Sequence, residues 1–108
     1  MNMVDVRGAI NAGRVNVTNH ADEEMEDDAI TAAQLYDSVT QGEIIEDYPD
    51  DFPFPSALIL GFDESSRPIH AVIAYSDVHE MAFVITAYVP DPERWVNFRT
   101  RRKIDVHD

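Results

Sequence analysis

The sequence predicts a single α+β domain: N-terminal helices, then a four-stranded antiparallel sheet, then a C-terminal helix. Three observations carry this. Apolar residues recur at helical spacing as far as Val39, and four runs rich in Ile, Val, Phe and Tyr follow between Glu43 and Val89. The connections between those runs are short and built from turn residues, and consecutive strands without intervening helices imply an antiparallel meander.

Met3, Val6 and Ile10 lie at i, i+3 and i+7, which predicts a first helix over 3–12 with Gly13 as terminator. Val15 and Val17 alternate with polar neighbours in a brief extended piece. Thr18 or Asn19 then caps a second helix, whose apolar stripe is Ala21, Met25 and Ala29. The third helix has the clearest start: Thr31-Ala-Ala-Gln34 is a capping box, with Ile30 and Leu35 at the spacing of a hydrophobic staple. Leu35 and Val39 continue its buried stripe, and Gly42 stands where a left-handed residue would end it. EIIEDY, ALILGF, PIHAVIAY and MAFVITAYV are the strands, joined by PDDFPFPS, DESSR and SDVHE. Asp91-Pro-Glu-Arg-Trp reads as the start of the C-terminal helix. Residues 1–108 thus form one domain, with a basic tail over 97–108.

Composition narrows the function classes. The chain has no cysteine, which excludes disulfides, thiolate zinc sites and thiol nucleophiles. No apolar run nears the roughly 18 residues of a membrane span, and Asp5 and Arg7 interrupt any signal-peptide core, so a cytoplasmic location without membrane contact is expected. The net charge of −13 is uneven: Val15 to Ser66 holds fourteen acids and no cation, whereas Arg94, Arg99, Arg101, Arg102 and Lys103 crowd the end. Such a surface repels polyanions over most of its area and attracts them only locally. Acid-rich, lysine-poor composition also suits a protein working at high salt, where charges are strongly screened.

Two stretches carry candidate chemistry. Between Asp22 and Asp28 six of seven residues are acidic, with His20 just before them. The run lacks the glycine of a calcium loop, and His20 with Glu24 supplies only two ligands, so no metal is expected there. A solvated helix face, with acids favoured near the N-terminal dipole, is the simpler reading. The second stretch is RPIHAVIAY. A tight SDVHE hairpin would put His70 beside Thr86, with Tyr88 one pleat further on, Arg67 at the head of the strand and Trp95 over the sheet end. An imidazole, a phenol and a guanidinium on one face suffice for metal-free phosphodiester cleavage: one group takes the 2′-hydroxyl proton, one protonates the leaving oxygen, and a cation stabilises the phosphorane charge. A half-buried histidine bonded to a neighbour is the competing reading. His79 falls in a turn and His107 in the tail. Tyr48, Phe52, Phe54 and Trp95 form an aromatic set that suits either core packing or a small ligand.

The order and spacing of His20-Ala21, Met25, Ile30-Thr31, Gly42-Glu43-Ile44-Ile45-Glu46-Asp47-Tyr48, Arg67-Pro68-Ile69-His70, Thr86-Ala87-Tyr88 and Pro90-Asp91-Pro92-Glu93-Arg94-Trp95 resemble a prokaryotic domain family of unknown function. That family in turn is similar to the RelE/ParE-type toxin superfamily, in particular the MqsR-type messenger-RNA-cleaving toxins. The resemblance covers a family-like core over 15–96 and implies a helix-helix-sheet fold with an RNA-facing groove on the sheet. It implies a metal-independent endoribonuclease needing no cofactor, with RNA, free or on the ribosome, as substrate and a small zinc-finger antitoxin as partner. On this reading Arg67, His70 and Tyr88 are catalytic, and His20, Thr86 and Trp95 bind substrate. The sequence departs from the family where arginines flank the first histidine: here Asp22, Glu23, Glu24 and Glu26 follow His20-Ala21. The alternative is a non-catalytic protein–protein interaction module on the same fold, whose opposed acidic and basic regions would also permit a homodimer.

Overall fold

The computed structural model describes residues 1–103. Helices α1 (Met3–Asn11), α2 (Asn19–Asp27) and α3 (Ala32–Thr40) and strands β1 (Val15–Val17), β2 (Glu43–Tyr48), β3 (Ser56–Phe62), β4 (Pro68–Ser76) and β5 (Met81–Tyr88) form the body. A small hairpin of β6 (Trp95–Val96) and β7 (Thr100–Arg101) follows. His107 and the tail beyond Lys103 lie outside the described residues.

Each helix starts where a short polar side chain accepts a backbone N–H. Asn2, Thr18 and Thr31 cap α1, α2 and α3, and the Thr31–Gln34 capping box is complete in both directions. One face of each helix packs on the sheet: Val6 and Ala9, Ala21 and Met25, Leu35 and Val39 meet Ile59, Ile69, Ala71, Ile73, Val84 and Ala87 in one core. Gly42 is not left-handed. Its value is a close approach, because a Cβ there would collide with the Leu60 carbonyl and Ile59. Gly61 is more constrained, since a Cβ would enter the Ser38 backbone of α3.

The predicted sheet is corrected in two respects. It has five strands, in the order β1-β5-β4-β3-β2, and it is mixed: Val15–Val17 runs parallel to Ala82–Val84. A three-residue strand paired with one more than sixty positions away leaves too short an alternation to identify its partner from sequence. Among the described residues no C-terminal helix follows β5. Asp91 instead makes a tight turn, its carboxylate accepting Glu93 N–H and its carbonyl accepting Arg94 N–H. Trp95 then turns inward and the chain doubles back through a three-residue loop, 97–99, in which Asn97 and Phe98 both have positive φ and the Val96 carbonyl accepts the Arg99 N–H. Thr100 and Arg101, in the stretch read as a tail, pair with Trp95 and Val96 as a second, two-stranded sheet.

Candidate functional site

Odd-numbered residues of β4 face the helices and even-numbered ones face the opposite side of the sheet. On that opposite side Leu60, His70 and Tyr88 form one row, and Glu46, Leu58, Val72 and Thr86 form the next. The sequence register placed His70 beside Thr86. The observed partner is Tyr88: the hairpin register set by Ser76 opposite Met81 would bring Ala87 to His70, and a bulge at Ile85 adds one more residue to β5 and brings Tyr88.

The β6–β7 hairpin lies across this row. His70 is 0% exposed. Its Nε2 stands 2.6 Å from the Phe98 carbonyl, which can only accept, so Nε2 carries the proton and Nδ1 accepts from the Tyr88 hydroxyl at 3.2 Å. Trp95 meets the imidazole edge-on at 4.5 Å between centroids. Arg101 lies over the Trp95 ring and makes a bidentate ion pair with Glu46, whose other contact is the Tyr48 hydroxyl at 2.5 Å. Arg99 pairs with Glu43. One imidazole, two phenols, a carboxylate and a guanidinium thus form a continuous network over the face opposite the helices.

The network tunes its members. Burial holds the His70 imidazole below its ordinary value, outweighing the Phe98 carbonyl and the Glu46 charge, which favour the protonated form. Burial raises the Tyr88 phenol, so it stays protonated at neutral pH. Burial and the bond to Glu46 raise Tyr48. Burial alone would raise Glu46, but hydrogen bonds from Arg101 and Tyr48 prevail and hold its carboxyl below the usual range. The bond to Glu46 raises Arg101 further, so its charge is permanent.

Beside the network, between the end of β5 and the hairpin, runs a groove of about 780 Å³. Tyr88 and Trp95 supply its aromatic wall, Arg94, Arg101, Arg102 and Lys103 its cations, and Asp91 and Glu93 its acids. The basic end of the sequence has become one lining.

Of the residues singled out from sequence, His70, Tyr88 and Trp95 come together. Arg67 does not join them. It points to the helix side, where Nη1 and Nη2 donate to the Asp28 and Ala29 carbonyls at 2.9 and 3.1 Å, Nη2 also to Gln34, and Nε to Asp63. The Arg67 backbone N–H, first among several bonds, holds Asp63 below the ordinary carboxyl range. Thr86 donates to Glu24, and His20, exposed, reaches the same carboxylate at 3.2 Å. The acidic run is divided in role: Asp22, Glu23, Glu26 and Asp27 are solvated, while Glu24 and Asp28 accept the Ala87 and Val89 N–H groups. These two carboxylates thus cap a sheet edge that β1 is too short to cover. Among the described residues no cluster of His, Cys, Asp and Glu is suited to a metal. Sequence reasoning missed Glu46 and Arg101. The alternation Glu46-x-Tyr48 marked both side chains as facing one way, but only the hairpin brings Arg101 to them.

The sequence model of a family described as "Domain of unknown function (DUF4258)" matches residues 17–89, more than half of the chain, and the chain belongs to that family. The matched segment contains Glu46, Tyr48, His70 and Tyr88 and ends before the hairpin. No curated protein and no solved structure matches the chain.

Proposed function

We propose that this chain, a member of the DUF4258 family, is an RNA-handling domain of the RelE/MqsR toxin kind that cleaves single-stranded RNA without a metal. The observation that carries the reading is the position of Tyr88. Its phenol lines the cationic groove while its hydroxyl is held by the buried Nδ1 of His70. Arg94, Arg102 and Lys103 receive the phosphates, and the half-buried Tyr88 offers its ring for base stacking, with Trp95 packed behind it. The 2′-hydroxyl oxygen attacks the adjacent phosphorus and loses its proton to the Glu93 carboxylate, while the bond from phosphorus to the 5′ oxygen breaks. The Tyr88 hydroxyl proton turns from His70 Nδ1 to that leaving oxygen, and solvent water then reprotonates the phenolate and takes up the proton held by Glu93, while His70 keeps the phenol in place. The products are a 2′,3′-cyclic phosphate and a 5′-hydroxyl. Arg101, paired with Glu46, holds the hairpin beside the groove, and Arg67 serves the fold.

Two observations favour a binding-only reading: both ring nitrogens of His70 are occupied, and Arg101 is already neutralised by Glu46. The two readings separate experimentally. Pure protein incubated with RNA in EDTA, at low and at molar salt, should yield cyclic-phosphate ends, and Tyr88→Phe should slow this roughly 100-fold or more. RNA bound but uncut at both salts supports the binding-only groove. RNA neither bound nor cut removes both readings.

A further inference from the structure

At the opposite end of the same sheet face the β2–β3 connection folds back over β4 and β5. Phe54 stacks on Phe83 with centroids 5.5 Å apart and planes within 8°. Phe52, two residues earlier, is 93% exposed, and the β5 bulge leaves Ile85 39% exposed beside it. Together with Ala74 these residues line a pocket of about 290 Å³ whose polar contribution is Asp51. The Asp51 Oδ2 accepts the Ser56 hydroxyl at 2.6 Å.

We infer that this pocket is a docking surface for a basic polypeptide segment of a partner protein, anchored by one large apolar side chain. Scattered exposed apolar residues are ordinary, but a contiguous set around a concavity marks an interaction site. Its volume falls just under the roughly 300–1,000 Å³ of small-molecule sites and suits a single anchor side chain. Charge selects the occupant. Asp50 and Asp51 lead directly into Phe52, Asp51 lines the pocket, and no cation does. An RNA strand or an acidic segment would be repelled here, and a cationic one is drawn in. Ala74 lies four residues beyond His70 on β4, about 13 Å along the strand. The pocket is thus separate from the cationic groove, and the inference does not rest on the RNA reading.

The probe is a fluorescein-labelled amphipathic peptide of lysine and leucine, with a matched peptide carrying glutamate at every lysine position. Anisotropy should show binding of the lysine peptide alone, weakened as salt rises. Phe52→Ser and Ile85→Ser should each weaken it roughly tenfold or more. Both positions are exposed, and circular dichroism checks that the variants stay folded. Amide shifts should map to 51–54, 74, 83 and 85. Equal affinity for wild type and Phe52→Ser, or shifts confined to α2, would overturn the inference and indicate diffuse charge attraction. Self-association abolished by Phe52→Ser would overturn it in favour of a second copy, and shifts of the same amides by poly(U) would overturn it in favour of RNA.

Discussion

His70 was read from the sequence as a catalytic group and stands in the structure as a buried neutral imidazole with both nitrogens bonded. Its chemistry is therefore indirect: it fixes the Tyr88 hydroxyl. Burial also gives it a measurable signature. The folded-state pKa lies below the unfolded value of about 6.5, so the unfolded chain binds the proton first as pH falls. Stability should drop as pH is lowered through that value and keep dropping until the folded-state pKa is reached, with a slope of at most about 1.4 kcal/mol per pH unit for one proton. Glu46 and Tyr88 face the ring from the sheet and Arg101 from the hairpin. Glu46 titrates in a lower window, because its pKa is held below the ordinary carboxyl range. His70→Gln should flatten the denaturant-midpoint profile between pH 7 and 5. An unchanged profile would mean that the ring is not buried neutral in solution.

At the scale of elements, two attachments hold the layers in place. The first is Arg67, which joins the start of β4 to the end of α2. The helix closes with Ala29 at φ +53, a left-handed conformation costly for a residue with a Cβ. The guanidinium donates to the last carbonyls there, where a cation also suits the helix dipole. Arg67→Ala should cost about 1.5–3 kcal/mol in chemical denaturation through the lost charged hydrogen bonds. Any RNA cleavage by the folded fraction should be retained, and a specific loss of turnover at unchanged stability would return Arg67 to the chemistry. The second attachment is the β6–β7 hairpin, held over His70 by the Phe98 carbonyl, by Trp95 and by the Arg101–Glu46 and Arg99–Glu43 pairs. Phe98 carries φ +62, where glycine is usual, so the tip is retained by tertiary contacts against its local preference.

The whole molecule carries a net charge of −13, and that charge is segregated. Exposed ion pairs such as Arg94–Asp91 contribute little, whereas mutual repulsion among solvated acids opposes compaction at low salt. Raising sodium chloride from low to near-molar should therefore raise the thermal midpoint, by about 4–8 °C for each kcal/mol of repulsion removed. A midpoint that falls with salt would show that the ion pairs outweigh the repulsion. No helix among the described residues is long and apolar enough to cross a membrane.

The three helices, the Thr31 capping box and the four long strands are legible in the sequence alone. Those features follow from local spacing and from hydrogen bonds only three residues apart, as in Thr31–Gln34. The shared face of His70 and Tyr88 is expected from unbroken alternation, but the bulge is what makes it: Ala82 and Val84 lie on the helix side with Ile73 and Tyr75, and the extra residue at Ile85 reverses the phase so that Tyr88 joins His70. Tertiary structure decided the rest. Val15–Val17 is too short to announce a parallel partner at Ala82–Val84, and the Ile85 bulge that pairs His70 with Tyr88 is invisible to alternation. Arg67 had no local reason to turn toward α2. The segment after Asp91 became a hairpin because burying Trp95 against His70 and pairing Arg101 with Glu46, more than fifty residues away, outweighed a weak helix-start signal. The candidate site is built largely from these long-range contacts, which is why half of it could be read in advance and half could not.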